Sequence, residues 1–152
     1  MSRGYAFEKY IVKNLSLDGW QCRRLGGSSM GLPDEIAVNN EHSILYSIEA
    51  KSTVGDSMVI PNDQIQRCKK ICDMFTRYDC SIVFAFKFSG IKKDRKLKYY
   101  FFKLTSNDNI ISDIESVRCN YKGILTVNMI SNSTTEAEID KYESIEDLKL
   151  CI

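Results

Sequence analysis

Histidine is almost missing from this chain: His42 is the only one in 152 residues. Cysteine occurs six times, at Cys22, Cys68, Cys72, Cys80, Cys119 and Cys151, yet no two form a Cys-x-x-Cys pair. The ligands for a structural zinc site are therefore lacking. Cys68 and Cys72, four apart on an expected helix, read as small buried thiols. No run of 18 or more apolar residues occurs, which leaves no candidate for a membrane-spanning helix. Met1-Ser2-Arg3-Gly4-Tyr5 holds no apolar signal core, so the expectation is a cytoplasmic protein with no membrane partner. There is no internal repeat. An overall excess of charge is missing too, the net being +1.

What is present is the composition of an ordinary globular domain, 43% hydrophobic and 27% charged. The length suits one domain with a real core. The near-zero net charge hides a strong division. Residues 1–66 carry six Lys/Arg against eight Asp/Glu, residues 67–103 eleven against three, and residues 104–152 four against nine. A basic middle between two acidic segments suits either a face that meets a polyanion or a solvated lysine-rich surface. The expected organisation is a single domain over residues 1–152, with 131–152 as an acidic C-terminal extension.

One stretch carries the chemistry. Pro33-Asp34-Glu35-Ile36-Ala37-Val38 and Ile44-Leu45-Tyr46-Ser47-Ile48-Glu49-Ala50-Lys51 read as two strands around the turn Asn39-Asn40-Glu41-His42-Ser43. Antiparallel pairing brings Asp34, at the start of the first, beside Glu49 and Lys51, at the end of the second. Alternation sends Glu49 and Lys51 to one face and Ala50 to the other. Two carboxylates suit a hard divalent cation, and a neighbouring ammonium can hold a water or a phosphate oxygen. The pattern points to metal-assisted phosphodiester hydrolysis, although charged strand ends are also common on ordinary hairpins.

The flanking segments add to it. Residues 4–17 read as a helix with Phe7, Ile11 and Leu15 on one stripe and Glu8 at the stripe's edge, where a carboxylate needs a partner. Asp18-Gly19 ends that helix, glycine providing a left-handed cap. Trp20–Leu25 reads as a strand. Of Arg23 and Arg24, on opposite faces, at most one can reach the carboxylates. The small-residue loop 26–31 either admits a phosphate backbone or is an ordinary turn. Residues 52–61 read as a polar connection, followed by a helix from about 62 to 78, capped by Asn62 or Asp63, with Gln64 in its first turn. Strands are expected at 81–88, 97–104 and 123–130, with a basic hairpin loop at 92–96. Helices are expected at 107–118, with Ile110, Ile114 and Val117 inward, and at 139–150.

Gly4-x3-Glu8, Arg24-x3-Ser28, Pro33-Asp34 and Ile48-Glu49-Ala50-Lys51, followed by Gln64, resemble in order the archaeal-type Holliday junction resolvases, within the PD-(D/E)xK nuclease superfamily. The resemblance is clearest over residues 1–90. It implies an α/β fold of restriction-endonuclease type, a central mixed sheet flanked by helices. It implies a structure-selective endodeoxyribonuclease that acts as a homodimer on four-way DNA junctions, with Mg²⁺ as cofactor and Mn²⁺ as a substitute. By the same resemblance Asp34 and Glu49 hold the metal and Ala50 lends its carbonyl. Lys51 serves the attacking water, and Glu8 completes the acidic site. Arg3, Lys9, Arg24, Ser28, Ser29 and Gln64 form the DNA-contacting set. Close relatives carry arginine where this chain has Lys9, and interface aromatics near the positions of Met74 and Tyr78. The alternatives are a nuclease of this fold acting on other DNA, and a nucleic-acid-binding module without catalysis.

Overall fold

The computed structural model describes residues 3–26, 31–90, 94–105, 108–131 and 138–150. Its frame is a six-stranded mixed sheet in the order β1-β2-β3-β5-β6-β9. These strands are β1 (Trp20–Arg24), β2 (Glu35–Asn39), β3 (Ile44–Thr53), β5 (Asp79–Phe88), β6 (Lys98–Leu104) and β9 (Ile139–Tyr142). Only β3 and β5 pair in parallel; the other four pairings are antiparallel. A parallel pair needs a crossover, and here it carries β4 (Ser57–Pro61) and helix α2 (Asn62–Met74). A second sheet, β4-β7-β8, uses β7 (Ile114–Asn120) and β8 (Leu125–Met129).

Two cores lie on the two faces of the large sheet. Helix α1 (Arg3–Leu15) presses Phe7, Ile11 and Leu15 against Cys22, Ala37, Tyr46, Ile48 and Phe101, joined by Ile145 and Leu148 of α4 (Ile145–Leu150). On the other face, Ile65 and Cys68 of α2 meet Phe84, Phe86 and Phe102, with Ile111 of α3 (Asp108–Ser112) and the inner residues of the small sheet. Strand β5 feeds both cores, Val83 and Ala85 to one and Ile82, Phe84, Phe86 and Phe88 to the other, so its apolar run is covered on both sides. Each of these large side chains contributes roughly 1.5–3 kcal/mol by leaving water.

Several elements depart from the sequence expectations. Residues 52–61 are not merely a polar connection: β3 continues to Thr53, and β4 alternates Met58 and Ile60 inward. Neither Asn62 nor Asp63 caps α2. The cap position is Pro61, and the Asn62 amide instead donates to the Ile114 carbonyl at 2.7 Å. Helix α2 stops at Met74, not Tyr78. The helix expected at 107–118 ends at Ser112, and 114–120 is strand. A register shift between Ile114 and Ser116 breaks the strand's two-residue alternation there. A bulge inserts one residue, so two inward side chains, Ile114 and Val117, stand three apart and imitate a helical stripe. The helix expected at 139–150 is split into β9, which pairs with β6, and the short α4. Finally, Cys72 is not a free thiol. It forms a disulfide with Cys80, tying the end of α2 to the start of β5, while Cys68 is the buried thiol expected.

Candidate active site

The hairpin forms as expected. Asn39 pairs with Ile44 and Glu35 with Ile48, so Asp34, one residue before β2, meets the end of β3. The Ala50 amide donates to Asp34 Oδ2 at 2.9 Å. That bond fixes the Asp34 carboxylate beside the Glu49-Ala50-Lys51 backbone. Ala50 packs with the α1-side core, so alternation turns Glu49 and Lys51 to the α2 side.

Glu49 is buried, only 3% exposed. Burial lifts its carboxyl well above the usual carboxylate range; a hydrogen bond with Asp34 and the Asp34 charge push the same way, and Lys51 and Arg67 oppose them. Two carboxyl groups within hydrogen-bonding reach of each other lie close enough to share one cation. Their oxygens are hard donors of the kind Mg²⁺, Mn²⁺ and Ca²⁺ prefer. The residues therefore fit a divalent ion. Among the described residues no set of three or more His, Cys, Asp or Glu side chains closes into a ready cage; the pair Asp34 and Glu49 is what the fold brings together.

Glu8 approaches from α1. Its carboxyl is raised by partial burial and by Asp34, and held down by Arg24, whose Nε stands 3.7 Å from Glu8 Oε1. Arg24 lies on the α1 face of β1, while Arg23 turns back to donate to the Cys22 carbonyl at 2.8 Å. So one arginine of the pair reaches the site. Arg24 also lies over the Tyr5 ring at 4.4 Å, and Lys9 over the same ring at 5.7 Å. The aromatic face holds both cations at the site's edge. Gln64 is in the first turn of α2, its Oε1 buried without a hydrogen-bond partner among the described residues. Of the remaining expected contacts, Ser28 and Ser29 lie outside the described residues, as does the Arg3 side chain.

Two charged residues here went unremarked in the sequence. Glu35 is fully buried; Cys22 Sγ donates to its Oε2 at 3.6 Å and its Oε1 has no partner among the described residues. Burial, then the charge of Glu8, lifts its carboxyl to about 9. Alternation along β2 could have found it, since Glu35 shares a face with Ala37 and Asn39. Arg67 is the second, signalled only by its place one turn beyond Gln64.

The basic loop after β5 is described only in part. Lys92 and Lys93 lie outside the described residues. Arg95 is a structural pin: it donates to Asp56 Oδ1 at 2.8 Å and to the carbonyls of Val54, Gly55 and Ser89, and covers the Tyr121 ring at 4.1 Å.

Comparison with known proteins agrees with this geometry. Residues 1–136 match the family described as archaeal Holliday junction resolvase (Hjc). A curated relative, the crossover junction endodeoxyribonuclease of Sulfolobus islandicus rod-shaped virus 1, is 34% identical over 80 residues. That alignment covers 51% of this chain and 64% of the relative, less than two thirds of its length. Among solved structures, the Hjc Holliday junction resolvase of Archaeoglobus fulgidus superposes with a TM-score of 0.52 at 16% identity, covering 80% of this chain and 86% of that one. The likeness establishes the fold as restriction-endonuclease-like, a mixed sheet flanked by helices.

Proposed function

The chain belongs to the archaeal Holliday junction resolvase family, and from that premise we propose that it is a divalent-metal-dependent endodeoxyribonuclease that cuts four-way DNA junctions. The observation that carries this reading is the meeting of Asp34 and Glu49 beside Lys51, with the Asp34 carboxylate fixed by the Ala50 amide.

Asp34 and Glu49 would hold the ion together with the Ala50 carbonyl, and Glu8 would face them from α1. Mg²⁺ is the ion we favour, with Mn²⁺ as a substitute. When bound, a divalent cation lowers the pKa of water and offsets charge on the transition-state phosphate. Lys51 orients the attacking water and adds positive charge beside the phosphorus. Arg24 binds a phosphate close to the scissile bond, and Glu8 keeps that guanidinium in place before DNA arrives. Arg3, Lys9, Ser28, Ser29 and Gln64 complete the DNA contacts. Such contacts go to backbone and shape, as a junction requires.

A junction has two-fold symmetry, so two opposed nicks call for a two-fold dimer with one site per protomer. The same reading treats the chain as one nuclease domain, whose acidic C-terminal stretch supplies β9 and α4. A nuclease with this substrate works in the compartment that holds DNA, which we take to be the cytoplasm. No helix among the described residues is long and apolar enough to cross a membrane.

A substrate panel tests the reading. Four-way junctions, flaps, nicked and plain duplexes are offered in Mg²⁺ at matched salt. Junctions should be cut far faster than the rest. Equal cutting of plain duplex would mark a restriction- or repair-type nuclease, and binding without cutting in any metal would mark a non-catalytic module.

A further inference from the structure

We propose that Arg67 of α2 is a second phosphate-binding arginine of the cutting site, gripping the DNA backbone on the side of Glu49 opposite Arg24. The proposal rests on the functional reading above and extends its DNA-contacting set.

Helix α2 is oriented by two amides. Asn62 Nδ2 donates to the Ile114 carbonyl at 2.7 Å and Gln66 Nε2 to the Ile111 carbonyl at 3.0 Å. These fix one flank of the helix on β7 and α3. Successive helical residues turn by about 100°, so Gln64 projects from the opposite flank, with Arg67 beside it one turn on. Between the flanks Ile65, Cys68 and Ile71 are buried toward the sheet. Helix α2 packs on β3, whose Glu49 turns to the α2 side, and the Glu49 charge acts on the Cys68 thiol. The flank that carries Gln64 and Arg67 therefore borders the Glu49 side of β3. The Arg67 charge reaches Glu49, as does that of Lys51.

Arg67 is also available. Its side chain is 22% exposed, and its carboxylate partner is Asp63, 63% exposed, at 3.3 Å. An exposed i,i+4 pair is worth only a few tenths of a kcal/mol, so a phosphate can displace Asp63. Guanidinium is the group suited to that exchange, because its planar fork matches a phosphate. The site then has a cation on each side of the acidic pair, Arg24 from the α1 face and Arg67 from the α2 face. A strand seated across the end of β3 would meet both.

The test compares wild type, Arg67→Gln, Arg67→Lys and Asp63→Asn on a labelled four-way junction, by single-turnover cleavage and by binding across a salt series. Arg67→Gln should slow cleavage of bound junction by about 100-fold, with Arg67→Lys recovering about tenfold of that loss. The slope of log affinity against log salt should become shallower by about one unit in Arg67→Gln. Asp63→Asn should cut at least as fast as wild type. Cleavage by Arg67→Gln near the wild-type rate overturns the proposal, and so does an unchanged salt slope. If wild type itself cuts no junction in any divalent metal, the proposed function fails, and the salt slope alone then decides whether Arg67 grips phosphate.

Discussion

At Glu35, burial and the charge of Glu8 act in the same direction, and the Arg24 charge opposes them only weakly. Its folded pKa of about 9 lies above the ordinary carboxylate value of 4.5. A raised carboxyl means that the folded state holds a proton the unfolded state releases. Its contribution to stability is complete below about pH 4.5 and is lost progressively as pH rises toward 9. Glu35→Gln keeps the shape and removes the titration. In EDTA at pH 8 the variant should be more stable by at least about 1 kcal/mol, a Tm rise of roughly 3 °C, with a flatter decline between pH 5 and 9. Identical pH profiles for variant and wild type would mean that Glu35 is ionised in the fold. Alternation of β2 exposes Glu35 to a reader of the sequence; its raised carboxyl does not follow from the strand pattern, because that depends on which residues α1 sets above it.

Among the elements, three fastenings make separate predictions. Lys149 is 4% exposed and reaches Asp18 Oδ2 at 3.1 Å, Glu146 Oε1 at 3.2 Å and the Asn14 carbonyl at 3.4 Å. It binds α4 to the C-terminal end of α1, where a cation favours the helix dipole. Lys149→Ala should cost about 1–2 kcal/mol in denaturant unfolding and leave metal-dependent activity in place. The Cys72–Cys80 link closes a short loop, and its removal by Cys72→Ser with Cys80→Ser should cost roughly 2–3 kcal/mol. Arg95 holds the loop after β5 to the β3–β4 turn through its Asp56 and carbonyl contacts. Arg95→Ala should lower Tm without changing the salt slope of DNA binding; a shallower slope would place Arg95 on the DNA face. Strands β1, β2, β3, β5 and β6 and helix α1 are legible in the chain because period and boundary signals agree there. Strands β4, β7 and β9 are not. Strand β4 is framed by Gly55-Asp56 and Pro61, which read as turn and break signals, β7 carries a bulge that mimics a helix, and β9 gains its hydrogen bonds only from the edge of β6.

For the whole molecule, the fold gathers residues from α1, β1, the hairpin and α2 at one end of the large sheet. Asp34, Glu49 and Lys51 were readable from spacing, since a hairpin converts a sequence interval into a spatial contact. Arg67 was not, because its role depends on how α2 is rotated, and two amide bonds to distant carbonyls fix that rotation. The proposed function stands on Asp34 and Glu49 as a metal-dependent cutting site for DNA junctions. The most direct measurement is single-turnover cleavage of an end-labelled synthetic four-way junction by wild type, Asp34→Asn and Glu49→Gln, in Mg²⁺ and in EDTA, with binding followed in parallel. Wild type should cut opposed strands in Mg²⁺ and not in EDTA. Both variants should bind the junction as well as wild type or better and cut it at least about 100-fold more slowly. Cleavage at the wild-type rate by either variant, or by wild type in EDTA, would contradict the claim.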